Sequence, residues 1–119
     1  MANSKKATGD FGESAAADYL TSKGYALVAR NFRTRMGEID LIMRDARYLL
    51  FVEVKARKFG SLVSAEEAID IHKQRRLRLA AEHYLATHAT PLQPRFDVIC
   101  IDLAYNGTIT DFRHIENAF

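Results

Sequence analysis

Two charged strings near the middle of the chain constrain its fold more than any other feature. They read Gly37-Glu38-Ile39-Asp40-Leu41-Ile42 and Phe51-Val52-Glu53-Val54-Lys55. In each string, charged residues occupy alternate positions within an apolar, β-branched run, which is typical of a strand with one charged face. Because burying an unpaired charge costs on the order of several kcal/mol, these groups are expected to serve one another, a metal ion or a substrate.

The composition limits the chain to one folded domain. It has 119 residues, of which 48% are hydrophobic and 27% are charged, so one core over residues 8–119 is expected behind a flexible, polar segment of residues 1–7. No apolar run approaches the roughly 20 residues that span a bilayer, and the N-terminal residues lack the apolar stretch of a secretory signal. With Cys100 as the single cysteine, we expect a cytoplasmic protein without disulfides or a membrane partner.

Hydrophobic periodicity and turn residues predict two helical stretches and five strands. The helical stretches cover residues 8–23 and 64–88. The strands are predicted at residues 25–33, 38–43, 48–56, 95–103 and 108–115. The resulting order, α-β-β-β-α-β-β, indicates an α/β domain with a mixed sheet.

The predicted helices have recognisable ends. Thr8 or Asp10 can cap the first helix, and Gly24 can stop it. The second stretch begins with the capping box Ser64-Ala65-Glu66-Glu67, and Asp70 can cap a longer segment from residue 71 onward.

The second and third strands form a predicted hairpin around the short turn Arg44-Asp45-Ala46-Arg47. With an even number of loop residues, the charged residues of both strings share one face, whereas an odd number would separate them. These charged residues are Glu38, Asp40, Glu53 and Lys55. In the even case the opposite face is purely apolar and belongs to the core. Its residues are Ile39, Leu41, Met43, Leu50, Val52 and Val54.

The charged face has the composition of a magnesium-dependent hydrolytic site. Asp40 and Glu53 can each supply one carboxylate oxygen and Val54 a backbone carbonyl, and oxygen ligands of this kind are those that Mg²⁺ prefers. Bound Mg²⁺, or Mn²⁺, acidifies a water molecule and neutralises charge on a phosphate. Lys55 is placed to orient that water or to stabilise the transition state. The competing interpretation is a structural ion pair across the strands.

Glu13 extends the first helix's buried face, which runs through Ala16, Ala17 and Leu20. One interpretation makes it a partly exposed residue of the first turn, where a negative charge favours the helix dipole. The other has Glu13 reach toward the acidic site.

Basic residues cluster in two segments although the net charge is only +2. The first segment runs from Arg30 to Lys58 and contains Arg35 and Arg57. The second contains Lys73, Arg75, Arg76 and Arg78. Helical spacing places Lys73 and Gln74 near the inward side of their helix. These clusters are either solvated faces or contacts to nucleic-acid phosphates.

The remaining reactive residues give weaker signals. The histidines lack zinc-like spacing with a cysteine, and Cys100 is expected to be a buried strand thiol. Arg95-Phe96-Asp97 is either a support for the acidic site or an ion pair at a strand edge.

Together these motifs resemble the YraN-like family of small bacterial proteins. The resemblance rests on Gly12-Glu13, the two charged strings, Lys73 and Arg95-Phe96-Asp97, and it covers about residues 8–103. That family is described as predicted endonucleases of the PD-(D/E)XK nuclease superfamily, close to the archaeal Holliday-junction resolvases. The resemblance implies a single restriction-endonuclease-like domain with an αβββαβ core and a mixed sheet flanked by helices.

The resemblance also implies roles for single residues. Asp40 and Glu53 match the metal ligands, Lys55 the catalytic lysine, and Glu13 a first-helix glutamate that can join the metal site. Gln74 lies near the position of a helix-borne glutamine in related nucleases. Ile39 stands where the superfamily name has proline, at a position that varies.

Three functions are compatible with these features. The leading one is a Mg²⁺-dependent DNA endonuclease, with selectivity for branched DNA as a further expectation. The alternative is a catalytically inactive nucleic-acid-binding module with the same fold. The third is a partner-binding protein whose sheet carries an ion pair. Small nucleases often act as homodimers because one site cuts one strand, so a homodimer is a candidate assembly.

Overall fold

The computed structural model describes residues 4–58 and 69–119. Its elements follow the predicted order, which confirms the α/β class and the αβββαβ core. Their bounds are α1 Ser4–Ser22, β1 Ala26–Arg33, β2 Glu38–Arg44, β3 Tyr48–Lys58, α2 Ile71–Thr87, β4 Gln93–Leu103 and β5 Ile109–Ile115. Within these residues, no helix is both long enough and apolar enough to cross a membrane.

The five strands form one sheet in which they lie side by side in chain order. β1–β2, β2–β3 and β4–β5 pair antiparallel, while β3 and β4 pair parallel. The sheet is therefore mixed, as predicted. A parallel pair needs a crossover connection, and α2 lies in the connection between β3 and β4.

In the described part of the chain, α1 covers one face of the sheet and α2 the other, each over its own apolar core. On the α1 side, Ala16 and Leu20 pack against the sheet. The buried sheet residues of that cluster are Leu41, Met43, Leu50, Val52, Val54, Ile99, Ile101 and Leu103. On the α2 side, Leu77, Ala80 and Tyr84 pack against a second cluster. Its buried sheet residues are Ile39, Ile42, Leu49 and Phe51.

The helix ends agree with the prediction in part. Asp70 caps α2 as predicted, because its carboxylate accepts a hydrogen bond from the backbone N–H of Lys73 at 2.9 Å. α1 begins at Ser4, so the predicted caps at Thr8 and Asp10 are wrong. The predicted capping box at 64–67 lies outside the described residues.

The β2–β3 turn has the even length on which the shared charged face depends. Arg44 pairs with Leu49, which leaves residues 45–48 between the paired strands. The Asp45 carboxylate closes this turn by accepting a hydrogen bond from the backbone N–H of Tyr48 at 2.7 Å.

The apolar face of the hairpin differs from the prediction at one residue. Ile39 packs on the α2 side together with Ile42, whereas Leu41 packs on the α1 side. The neighbouring strand is distorted at the same level, where Asn31 has a left-handed φ of 55°, which asparagine adopts more readily than most residues. The break in alternation falls at Asp40, between Ile39 and Leu41.

Candidate functional site

Asp40 lies where β2 and β3 cease to pair. The ladder between the strands ends at Leu41 and Val52, one residue short of Asp40 and Glu53. At this point the backbone N–H of Val54 donates to Asp40 Oδ2, with an N–O distance of 2.8 Å. The carboxylate thus accepts a hydrogen bond from β3 and is held between the two strands.

Glu53 is a buried acid on the α2 side of the sheet, with 2% of its surface exposed. Its Oε1 lies 3.0 Å from Nζ of Lys73 on α2. Its Oε2 is buried and finds no hydrogen-bond partner among the described residues. A buried carboxylate oxygen without a partner is costly. The Oε2 atom of Glu53 is therefore available to bind a cation.

The charge of Glu53 makes the neighbouring carboxyl group of Asp40 harder to ionise. Burial, and then the negative charge of Glu53, raises the pKa of Asp40 to about 7. Burial also raises the pKa of Glu53, although the ammonium of Lys73 opposes that shift. Like-charged carboxylates in a poorly solvated site favour a bound proton or a cation.

These groups fit a magnesium ion. In residues 4–58 and 69–119, no group of three or more His, Cys, Asp or Glu is arranged to hold a metal. Mg²⁺, however, commonly binds to one or two carboxylates and takes its remaining ligands from water and substrate phosphates. Asp40 and the free Oε2 of Glu53 supply such a pair, and the backbone carbonyl of Val54 is a third donor of the same chemistry.

Glu13 approaches Asp40 from α1. Its Oε1 lies 3.3 Å from Nε of Arg30. Burial, followed by the charge of Asp40, raises the pKa of Glu13. Because α1 begins at Ser4, Glu13 lies in the middle of the helix, and the interpretation as a first-turn residue is wrong.

Gly12 explains how α1 comes so near to the acidic pair. A Cβ atom at this position would lie 2.8 Å from Cβ of Ala56 on β3, a separation that carbon atoms do not tolerate. The absence of a side chain at residue 12 therefore lets the helix pack closely on the sheet, with Glu13 beside it.

The two lysines of the site have different surroundings. Lys55 is half-buried, and its positive charge lowers the pKa of Glu53. In the described part of the chain, Lys55 forms no ion pair. Lys73 forms the direct ion pair with Glu53. Burial lowers the pKa of Lys73, but the negative charge of Glu53 outweighs that effect and raises it. Helical spacing placed Lys73 inward, but nothing in the sequence marked it as the partner of Glu53.

The residues predicted to contact nucleic acid differ in their exposure and in their partners. Besides Lys73, they are Arg35, Arg57, Gln74 and Arg76. Arg35 and Arg76 are exposed, whereas Arg57 Nε pairs with Asp102 at 2.8 Å. The Gln74 amide lies 3.5 Å from the backbone carbonyl of Ile69 at the start of α2.

Asp97 belongs to a separate network, so it does not support the acidic pair. It is fully buried and forms two 2.8 Å hydrogen bonds with Arg95, and Nε2 of His114 lies 2.7 Å from its Oδ2. Tyr19 of α1 reaches the same histidine at 3.2 Å, which places the network on the α1 side. The sequence suggested an ion pair here but gave no sign of His114.

Comparisons with known proteins agree on one family. The profile of "Uncharacterised protein family UPF0102" matches residues 12–101. A UPF0102 protein of Pelotomaculum thermopropionicum is 42% identical over 120 residues, covering 100% of both chains. One of Symbiobacterium thermophilum is 46% identical and covers 93% of this chain and 94% of its own. One of Alcanivorax borkumensis is 43% identical and covers 100% of this chain and 96% of its own. The chain belongs to the UPF0102 family.

Proposed function

We propose that this protein is a Mg²⁺-dependent endonuclease that hydrolyses DNA phosphodiester bonds. The observation that carries the proposal is the arrangement of Asp40 and Glu53. Both are carboxylates of neighbouring strands that interact directly in a poorly solvated site, and one Glu53 oxygen has no partner among the described residues. An acidic pair without enough protein cations destabilises the fold, and a divalent cation would offset that cost.

In this proposal, Asp40, Glu53 and the Val54 carbonyl hold the ion. When bound, Mg²⁺ would acidify a water molecule and neutralise charge on the phosphate. Lys55 lies two residues from Glu53 and forms no ion pair within the described residues, so its ammonium is available for the phosphate oxygens. Lys73 keeps the Glu53 carboxylate oriented, while Glu13 acts through its charge on Asp40.

DNA is the proposed substrate because exposed arginines lie on or beside the elements that carry Asp40 and Lys73. Arg35 precedes β2, which carries Asp40, and Arg76 lies one helical turn after Lys73 on α2. Both could bind phosphates on either side of the bond to be cut, which is the usual source of sequence-independent affinity. Branched DNA is the finer part of the proposal, with a homodimer presenting two sites, and the cytoplasm as the place of action.

The experiment is a cleavage assay on branched, single-stranded and duplex DNA with Mg²⁺ or Mn²⁺. We expect cleavage by the wild-type protein and loss of cleavage in Glu53→Gln. Lys55→Ala should lose about 10²-fold or more in rate, as expected for a group that stabilises transition-state charge. Glu82→Gln, an exposed glutamate on α2, is the matched control and should cut normally. Cleavage that survives both site substitutions would show a contaminating nuclease.

The alternative is a catalytically inactive module that binds nucleic acid. The ion pair between Lys73 and Glu53 favours it, because an ammonium already supplies part of the positive charge that a metal would provide. This alternative predicts DNA binding without cleavage and without saturable Mn²⁺ binding in isothermal titration. Saturable Mn²⁺ binding that Glu53→Gln abolishes would argue against it.

A further inference from the structure

The turn between β1 and β2, residues 34–37, has a fixed shape. The backbone N–H and the hydroxyl of Thr34 donate to the carbonyl of Gly37 at 2.8 and 3.0 Å. The same hydroxyl oxygen accepts from the backbone N–H of Met36 at 3.0 Å and of Gly37 at 3.1 Å. A turn closed by this many hydrogen bonds holds its tip residues in place before any partner arrives.

The turn is also fixed against α2. A side chain at Gly37 would overlap the backbone carbonyl of Arg76, so this glycine allows the chain to lie directly on the helix. Glu38 begins β2 immediately afterwards, and Asp40 follows two residues later. The tip of the turn is thus joined to the acidic pair through a short, ordered segment and through the helix that carries Lys73.

The tip presents an apolar side chain next to two arginines. Met36 is 56% exposed. Arg35 is exposed, and no hydrogen bond or ion pair of its side chain is found in the two described segments. The side chain of Arg33 is 72% exposed, and its 3.5 Å pair with the exposed Glu38 is weak. Together with His83 of α2, these residues line an open cleft.

Such a tip matches one mode of DNA recognition. Methionine is among the apolar side chains that proteins insert between base steps, and arginines beside the wedge bind the phosphates. Insertion is least costly where bases are already poorly stacked, as at a branch point or an unpaired base. The positive charge of the neighbouring arginines favours an anionic occupant such as DNA over a neutral or basic protein surface.

We propose that Met36 is a wedge that enters a poorly stacked step of branched DNA, while Arg33 and Arg35 bind the adjoining backbone. This inference rests on the proposed function in that DNA is the substrate, and it adds the feature that selects the DNA structure. It does not depend on cleavage, because the wedge acts when the protein binds.

The experiment uses a four-way DNA junction with 2-aminopurine, a base that fluoresces when it is unstacked, and the full chain in EDTA. We expect the wild-type protein to raise the fluorescence. Met36→Ser should abolish that rise and weaken junction binding by about tenfold, while duplex binding changes little. Leu27→Ser removes a side chain of similar exposure, 52%, from the other end of β1 and should behave as the wild type. Arg35→Gln should weaken binding to both DNAs. It should also reduce, by about one, the slope of the logarithm of the binding constant against the logarithm of the salt concentration.

Three outcomes would overturn the wedge. The first is an unchanged fluorescence rise in Met36→Ser, and the second is failure of the wild-type protein to bind the junction or to unstack it. The third is a wild-type dimer that Met36→Ser converts to a monomer without DNA, because the turn would then be a subunit contact. Cleavage assays on the same proteins separate the two proposals. If the wild-type protein unstacks the junction but cuts no DNA, the wedge is retained and the nuclease is rejected. If cleavage depends on Glu53 but Met36→Ser still unstacks the junction, the nuclease is retained and the wedge is rejected.

Discussion

The ammonium of Lys73 on α2 lies 3.0 Å from the carboxylate of Glu53 on β3. The pair joins the helix to the sheet at the point where β2 and β3 cease to pair, and it leaves the second Glu53 oxygen without a partner among the described residues. The site thus contains more buried negative charge than its own cations neutralise at close range.

Removing the ammonium from this pair should destabilise the fold. Lys73→Met is expected to lower the free energy of unfolding by about 2 kcal/mol, because it leaves the buried Glu53 charge uncompensated. In a Glu53→Gln background the same change should cost less than about 0.5 kcal/mol, since the charge is gone. Urea unfolding of the four proteins measures the coupling. Lys55→Met is the matched control, and equal coupling of both lysines to Glu53 would contradict the assignment of Lys73 as the partner.

The acidic pair should make stability fall as the pH rises. The pKa of Asp40 is raised to about 7 from an ordinary value near 4. A carboxyl group with a raised pKa stabilises the fold while it is protonated, below its unfolded pKa, and that contribution is lost as the pH rises through the folded pKa. Asp40→Asn keeps an oxygen for the Val54 N–H and removes the charge. It should therefore be more stable than the wild type at pH 8, on the order of 2 kcal/mol.

Urea unfolding at pH 8 and pH 5 checks this expectation. The gain in the free energy of unfolding that Asp40→Asn shows over the wild type should be smaller at pH 5, where the wild-type carboxyl is mostly protonated. Asp45→Asn serves as a comparison. Because backbone hydrogen bonds from Tyr48 and Arg47 lower the pKa of Asp45, this substitution should make the protein less stable at pH 8. A wild-type protein that is more stable than Asp40→Asn at pH 8 would show that the carboxylate is well compensated.

The Asp97 network should contribute to stability in the opposite sense. Although burial opposes ionisation, hydrogen bonds from His114 and Arg95 lower the pKa of Asp97. Its contribution is therefore present above the unfolded pKa and is lost in acid, as the pH falls through the folded pKa. Asp97→Asn should cost about 3 kcal/mol at pH 7, because the largely buried Arg95 loses its counter-ion.

The difference in the free energy of unfolding between the wild type and Asp97→Asn should become smaller near pH 3, which denaturation experiments can measure. Asp111→Asn removes a half-exposed partner of Arg113, and such surface pairs contribute about 0–1 kcal/mol. If Asp97→Asn and Asp111→Asn lose the same stability at pH 7, the network does not hold the α1 side together as described.

Gly37 should be intolerant of a side chain. Gly37→Ala would place a methyl group against the Arg76 carbonyl, and relieving that overlap should cost about 1–3 kcal/mol. Gly9→Ala is the control, since a Cβ there meets nothing within 4 Å and alanine is favoured over glycine in a helix by about 1 kcal/mol. Thermal unfolding should show opposite shifts, and a Gly37→Ala protein as stable as the wild type would contradict the close packing of the turn on α2.

The sequence predicted the elements whose signals are local. Asp70 is recognisable as a helix cap because its own side chain binds the first turn of α2. The even hairpin turn and the apolar stripe of α2 likewise depend on residues close together in the chain. For a hairpin turn of even length, these signals place Asp40 and Glu53 near each other, and the structure supplied that length.

The remaining features depend on contacts between distant residues. Ile39 lies on the other side of the sheet from the prediction because the alternation of β2 breaks opposite Asn31 on another strand. The partner of Glu53 is set by the approach of α2, and the partner of Asp97 by β5. The early start of α1 at Ser4 places Glu13 in the middle of the helix. Spacing within one element cannot reveal these relationships.

The most direct test of the acidic pair is a crystal structure of the protein soaked in Mn²⁺, with an anomalous difference map to locate the ion. We predict a peak within coordination distance of both Asp40 and Glu53, with the previously unpartnered Glu53 oxygen among its ligands. The same soak of Glu53→Gln should show no peak there. A wild-type map without density at this position under saturating Mn²⁺, with Lys73 still paired to Glu53, would contradict the metal site.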